Sequence, residues 1–240
     1  MIPVDSLLYK IDQKLNKLST NEHQQIQLED KILALNEAQI VLIKRKVDGI
    51  SSIGIDASRK RYEDLQSLVE NYIDHPLTPV LEDANINQWT VDITSLSPQY
   101  MFYIDSYILA DKGKCKDRMV WINQDLAKHG DIALLFKNEH YKPSFEYQET
   151  FNVISSGKMS VFTDGTFEPT KLYIMYLRYP QYIDKAGYVK FDGTDSTDVN
   201  CELADYLEDE LLDVTVQSLT MYTENVSAVQ SAQLRIQTNE

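Results

Sequence analysis

The amino-acid sequence predicts an α+β fold with an N-terminal helical bundle, a central antiparallel β region and a long acidic C-terminal helical segment. Three observations predict this class. Apolar residues recur at helical spacing in the first third of the chain. The middle is rich in β-branched and aromatic residues. No glycine or proline follows Gly193, so the last part contains no strong helix breaker.

Three regions follow from these patterns along the 240 residues. Residues 1–80 form the N-terminal helical region, residues 81–190 the β-rich region, and residues 191–240 the acidic loop and C-terminal helix. The chain is 43% hydrophobic, which is enough to bury a substantial core. We expect one structural domain with extensions.

Two amphipathic helices are predicted near the N-terminus. Apolar residues from Val4 to Leu18 fall at helical spacing, with polar residues on the other face. A second helix is predicted from about Leu28 to Val47, and Gly49 is placed to end it.

A third helix is predicted to begin near Asp56 or Ser58 and to end before Pro76. Its apolar side would contain Tyr62, Leu65, Leu68, Val69 and Tyr72. These three helices make up the predicted bundle.

Two basic runs lie in this helical region. They are Lys44, Arg45 and Lys46, and Arg59, Lys60 and Arg61. The first run falls in the last turn of a helix, where the helix dipole favours positive charge, although contact with phosphate is an alternative. The second run falls at a predicted helix start, where the dipole disfavours it. It lies on a solvated face, pairs with Glu63 and Asp64, or meets an acidic partner surface or DNA phosphate.

Six segments of the middle region favour β-strands. They are residues 89–93, 100–109, 119–122, 145–153, 158–163 and 172–178. Asp164–Gly165 predicts a two-residue hairpin, because a primed turn needs positive φ at both central positions. A short helix is expected within Gln124 to Lys137. Most tyrosines lie in this region, where they suit both core and interface positions, and core packing is the prediction for most of them.

The C-terminal region holds most of the negative charge. Residues 191–240 contain eleven acidic and one basic side chain, and the whole chain has a formal net charge of −14. After a polar loop in which Asp198 or Asn200 serves as a helix cap, a helix is predicted from Cys201 to about Gln237, either continuous or broken at Thr220–Thr223.

Several function classes are excluded or disfavoured by the sequence. A net charge of −14 disfavours a function in which the protein binds nucleic acid by neutralising its phosphates. Phosphate-loop, H-E-x-x-H, G-x-S-x-G and C-x-x-C motifs do not occur. The four histidines are scattered, and the loop from Asp192 to Asn200 lacks calcium-loop spacing. We therefore expect no catalysis, cofactor or metal, reduced structural cysteines, and no membrane segment.

Four segments resemble a family. They are Lys31–Ile40, Pro143–Thr150, Leu177–Pro180 and Glu202–Glu210. These segments resemble virion structural proteins of crAss-like phages of gut Bacteroidales. In particular, a sheet that ends in a Tyr-Pro segment, then a polar loop and an acidic helix, is similar to the ring proteins that join portal to tail in a tailed phage.

The resemblance implies a head-to-tail connector subunit in the virion neck, made in the host cytoplasm. Its expected partners are copies of itself in a twelve-fold ring (a dodecamer), the portal protein and adjacent neck or tail ring proteins. Genomic DNA would pass through this ring during packaging and ejection without tight binding.

Six acids are the candidate functional residues of the C-terminal segment. They are Glu202, Asp205, Glu208, Asp209, Glu210 and Asp213. An acidic channel wall would repel phosphate, so DNA would slide without sticking. The alternatives are that these acids solubilise an outer face, or that they meet the two basic runs of an adjacent subunit.

Two alternatives to the connector are also compatible with the sequence. The chain could be another neck or tail ring protein, or a minor head protein, of the same virion. It could also be an acidic binding protein that mimics DNA, although residues 1–190 are only −4 and such mimics spread acids over the whole body.

Overall fold

The computed structural model describes residues 1–18, 26–48, 64–80, 87–123, 132–190 and 193–222. It confirms the α+β class: two N-terminal helices, a mixed and mostly antiparallel eight-stranded sheet, and a C-terminal helix that packs on the N-terminal helices. The chain divides into two compact units, a helical unit (Met1–Leu68 with Pro180–Glu240) and a β unit (Val69–Tyr179).

The elements have the following bounds. The helices are α1 (Val4–Leu18), α2 (Leu28–Asp48), α3 (Ile132–Lys137) and α4 (Glu208–Tyr222). The strands are β1 (Val69–Pro76), β2 (Thr78–Val80), β3 (Asn87–Asp92), β4 (Tyr100–Lys112), β5 (Cys115–Asn123), β6 (Glu149–Ser155), β7 (Lys158–Thr163) and β8 (Glu168–Arg178). Short 3-10 turns cover Gln66–Leu68, Ile93–Ser95 and Asp205–Leu207.

In the helical unit, α4 packs against both α1 and α2. The apolar side of α1 is buried, as its helical spacing predicts. Its buried residues are Val4, Leu7, Ile11 and Leu15. Helix α2 is buried around most of its circumference, and α4 contributes Leu211, Leu212, Val214, Val216 and Leu219 to the same core. Both predicted N-terminal helices are confirmed.

A side-chain amide fastens the segment after Pro180 to α2. The Nδ2 of Asn36 donates to the carbonyl of Ile183 at 2.9 Å, and the N–H of Ile183 donates to Asn36 Oδ1 at 2.8 Å. Asn36 therefore pairs with Ile183 as a neighbouring strand would. Because both groups are buried, these bonds satisfy polar atoms that have no access to water.

Asp184 holds the next part of this segment. It is almost fully buried and receives Lys190 Nζ at 2.8 Å, the Tyr188 hydroxyl at 2.7 Å and the backbone N–H of Thr197 at 3.1 Å. Burial by itself raises the pKa of Asp184, but these hydrogen bonds and one from the Lys185 N–H stabilise the carboxylate, so the net effect is a lowered pKa.

In the β unit, the strand order is β1-β8-β4-β5-β6-β7-β3-β2. All neighbours are antiparallel except β5 and β6. The two edge strands, β1 and β2, follow each other in the chain and are separated by Leu77 alone, which packs against the core. One continuous segment thus borders both ends of the sheet.

The core of the β unit draws alternate residues from both halves of the sheet. It includes Ile108, Ala110, Val120, Ile122, Leu172 and Ile174 from β4, β5 and β8, with Val91, Met159 and Val161 from β3 and β7. On β6 and β7, Phe151, Val153 and Phe162 form a separate cluster with α3. The six predicted strand segments are confirmed within a few residues.

The predicted third helix is wrong from Val69 onward, whereas Asp64 is helical and Gln66–Leu68 form a 3-10 turn. Residues 69–76 form strand β1, which pairs with β8 from Val69 opposite Leu177 to Pro76 opposite Lys171. Long-range pairing overrides a helical pattern that contains β-branched Val69 and Ile73. The predicted start, residues 56–63, lies outside the described residues.

The predicted hairpin at Asp164–Gly165 is also wrong. A turn exists there, since the Thr166 N–H donates to Asp164 Oδ1 at 2.8 Å, but the strands on either side pair with other strands. The two-residue hairpin lies instead at Ser156–Gly157, where Ser155 pairs with Lys158 and φ is +52° and +75° at the two central residues. A local turn signal does not specify which strand becomes the partner.

The C-terminal helix begins seven residues later than predicted, at Glu208. Cys201 instead forms an antiparallel bridge with Ile2, with backbone N···O distances of 2.9 and 3.0 Å. Asn200 does serve as a helix cap, but for α1, since its Oδ1 accepts from the N–H of Val4. Residues 223–237 of the predicted helix lie outside the described residues, as does the first half of the predicted Gln124–Lys137 helix; α3 occupies the second half.

Candidate assembly surfaces

The acids at the start of α4 lie against lysines of the N-terminal helices. Lys10 Nζ lies 2.5 Å from Glu208 Oε2, and Lys14 Nζ lies 2.6 Å from Asp213 Oδ1. Lys10 and Lys14 are four residues apart and therefore share one face of α1, where they meet acids five residues apart on α4. The acidic helix is thus joined to α1 by ion pairs within one chain.

Lys46 of the first basic run makes the matching contact from α2. Its Nζ lies 2.8 Å from Glu210 Oε2 and 3.6 Å from Asp64 Oδ2. Asp64 is buried and also accepts from the Tyr206 hydroxyl at 2.7 Å. One member of the basic run therefore pairs with the acidic segment of its own chain.

The other basic residues are placed differently. Lys44 is exposed and Arg45 is half-buried at the end of α2. The second run, Arg59, Lys60 and Arg61, lies outside the described residues.

Two of the six candidate acids keep strongly exposed carboxylates. The side chains of Asp205 and Asp209 are 80% and 83% exposed. Asp205 lies 2.8 Å from the ammonium of Met1, and Asp209 lies 3.9 Å from Lys14 Nζ. Glu202 Oε2 accepts from the N–H of Gln181 at 2.9 Å. Both Glu202 and Asp205 precede α4 and are not on the helix itself.

A second surface lies on the outer side of β4, β5 and β8. Because the alternate residues of these strands are buried in the core, their neighbours in sequence point outward. We define the aromatic sheet face as Tyr107, Leu109, Met119, Trp121 and Tyr173.

The rings of this face are ordered across three strands by the strand register. Tyr107 is paired directly with both Trp121 and Tyr173. The Tyr107 ring stacks on Tyr173 with centroids 4.9 Å apart and meets Trp121 edge-on at 5.5 Å. Trp121 nevertheless remains 45% exposed. Tryptophan, tyrosine and methionine are the side chains enriched at the centres of protein interfaces, so this face has the composition of a docking surface.

The described residues present no metal site and no membrane span. No group of three or more His, Cys, Asp or Glu side chains in the described ranges is arranged to hold a metal ion. Among the same residues, no helix has the length and apolar character that crossing a membrane requires. Cys115 and Cys201 are both free thiols, and burial raises the pKa of Cys201 to about 11.

The sequence pattern does not predict the aromatic sheet face. It assigned most tyrosines to the core, whereas Tyr107 and Tyr173 are only partly buried and Tyr176 is fully buried. The segments Tyr107–Ala110 and Met119–Ile122 are apolar on both sides of the strand, so their pattern does not say which side is solvent-facing.

A scan against protein-family models finds no matching family, and a search of curated proteins finds no match.

Proposed function

We propose that this chain is a structural, non-catalytic subunit of a tailed-phage virion that forms a connector ring between the portal and the tail. The observation that carries the proposal is the aromatic sheet face, together with the resemblance of the four sequence segments. An ordered, partly exposed row of Trp121, Tyr107 and Tyr173 suits a protein whose task is to bind other subunits.

A ring requires two different complementary surfaces on each subunit, because each copy contacts one neighbour through one surface and the next through the other. The aromatic sheet face supplies one apolar surface. In the proposal it docks on an adjacent copy or on a neighbouring ring protein, and its burial there would exclude water from a large aromatic area.

In the proposal, exposed acids repel the phosphates of the passing DNA, so the DNA does not bind to the ring. Asp205 and Asp209 are the acids suited to this role, because their carboxylates remain exposed. Both acids also lie near a cation of their own chain, at 2.8 Å from the Met1 ammonium and 3.9 Å from Lys14 Nζ, but they stay exposed. Glu208, Glu210 and Asp213 are much less exposed and pair closely with lysines of their own chain. The same pairing disfavours a DNA mimic, which needs its acids free to meet a basic partner.

The experiment that tests the proposal is co-expression of this chain with the portal protein encoded in the same genome, followed by native mass spectrometry. The wild-type chain should form a closed ring with the portal, and the variant Met119→Ser/Trp121→Ser should not. Met221→Ser removes a comparably exposed apolar side chain from the helical unit and serves as the matched control. A portal that never binds the chain would overturn the proposal.

A further inference from the structure

Helix α2 has one stripe that no other described element covers. From Ile32 to Val47, every residue of α2 outside this stripe is buried, except Arg45 and Lys46, which are half-buried beside it. The stripe consists of Leu33, Glu37, Ile40, Val41, Lys44 and Val47, which fall within about a third of the helix circumference at 100° per residue. Leu33 is 51% exposed, and only Ile40 of the six is half-buried.

The residues along this stripe follow a self-complementary order, with an acid and a base at equal distances on either side of an apolar centre. From the N-terminal end it reads apolar, acidic, apolar, basic, apolar: Leu33, Glu37, the pair Ile40 and Val41, Lys44, and Val47. Glu37 and Lys44 form no ion pair within the described part of the chain. Such a pattern matches itself when a second copy is laid alongside in the opposite direction.

We infer that α2 docks on the α2 of a second copy of this chain in an antiparallel, two-fold symmetric pair. With the symmetry axis between Ile40 and Val41, Glu37 of each copy meets Lys44 of the other, because both lie the same distance from the axis. Leu33 then lies beside Val47 of the second copy, and the Ile40–Val41 pairs meet at the centre.

Both parts of this contact are complementary. The two charge pairs select the antiparallel arrangement, since a parallel pair would place Glu37 against Glu37 and Lys44 against Lys44. The apolar residues lose exposed surface to water, which supplies the attraction. Stable complexes bury about 1,200 Å² or more of accessible surface in total, and a single helix stripe on each copy buries less. The pair should therefore be weak, with a dissociation constant of about a micromolar or higher.

This pair differs from a ring contact and does not rest on the proposed function. A two-fold contact uses the same patch on both copies and closes on itself, whereas a ring needs two different patches. The α2 pair is therefore expected for the free chain in solution, before it joins any larger assembly. Its failure would leave the aromatic sheet face and the ring untouched.

Sedimentation velocity over a concentration series tests the inference by charge reversal. Wild type should pass from monomer to dimer, and Glu37→Lys or Lys44→Glu alone should lower the affinity at least tenfold. The double variant Glu37→Lys/Lys44→Glu should restore it, because the pairs are then exchanged. Glu139→Lys makes the same charge change on an exposed residue of the β unit and should leave association unchanged. A monomer at every concentration, or a dimer indifferent to the single reversals, would overturn the inference.

Cross-linking then tests the position of the axis. In a background with the exposed Cys115 replaced by Ser, Val41→Cys should be joined to its counterpart by a short bifunctional maleimide. Leu33→Cys is the control, since the two copies of residue 33 would lie about 22 Å apart at 1.5 Å per residue. Cross-linking at both positions counts against the pair. So does a Val41→Cys thiol that is protected from maleimide in a monomer, because another segment of the chain would then cover the stripe.

Discussion

The ammonium of Lys14 lies 2.6 Å from the carboxylate of Asp213, a residue that is only 6% exposed. This pair joins α1 to α4 where water has little access. Removal of one member of a buried pair weakens the compensation of a charge that water does not reach, which costs more than the loss of an exposed pair.

Lys14→Met should therefore destabilise the helical unit by about 2–4 kcal/mol, as measured by urea unfolding at neutral pH. Lys10→Met is the matched control on the same helix, because the Lys10–Glu208 pair is more exposed, and its cost should stay below about 1 kcal/mol. Equal losses in the two variants would show that burial of Asp213 does not determine the strength of the pair.

Asp184 should make stability depend on acid pH. Its folded pKa is lowered, so its stabilising contribution is present above the unfolded value of about 3.9 and is lost as the pH falls through the folded value. Between pH 7 and pH 3, wild type should lose more unfolding free energy than Asp184→Asn, although the variant is less stable at pH 7. Asp195→Asn alters an exposed acid of the same segment and should keep the wild-type pH dependence.

Asn36 should be required for the attachment of the segment around Ile183. Asn36→Asp retains an acceptor for the Ile183 N–H but loses the Nδ2 donor to the Ile183 carbonyl, and Asn36→Leu loses both. We expect a loss of about 1–3 kcal/mol in each variant. In hydrogen exchange, the Ile183 amide should lose protection in Asn36→Leu and less so in Asn36→Asp. Unchanged protection in Asn36→Leu would contradict this role.

A side chain at Gly157 should destabilise the fold by more than its backbone conformation alone explains. A Cβ at this position would lie 2.6 Å from Thr94 Cγ2, and φ is +75°. Gly193 has a similar φ of +80°, and a Cβ there would meet no atom of the described residues within 4 Å, so Gly193→Ala isolates the backbone cost of about 1 kcal/mol. Gly157→Ala should exceed that cost by at least about 1 kcal/mol because of the clash. Thermal unfolding of both variants measures the difference, and equal melting temperatures would argue against a close approach of Thr94.

The sequence pattern correctly predicted the elements whose structure depends on nearby residues. The amphipathic period of α1 and the β-branched content of six strands were sufficient for their positions. The errors concern partners distant in sequence. Strand β1 exists because β8 pairs with it, and the α-helix does not extend back to residue 201 because Cys201 pairs with Ile2. Neither partner is visible in the local pattern.

The candidate surfaces follow the same division. The sequence located the acids of the C-terminal segment, but not that Lys10, Lys14 and Lys46 of the same chain neutralise three of them. These contacts join residues about 160 to 200 positions apart, and charge complementarity alone does not distinguish a neighbouring subunit from the same chain. The aromatic sheet face was not predicted because a strand with apolar residues on both sides does not show which side faces solvent.

The proposed role as a ring subunit of the virion neck is tested most directly by the copy number of the chain in the virion. Quantitative mass spectrometry of purified virions measures its copy number against that of the portal protein. The proposal predicts a ratio near one. Absence of the chain from purified virions, with the portal protein present, would contradict it.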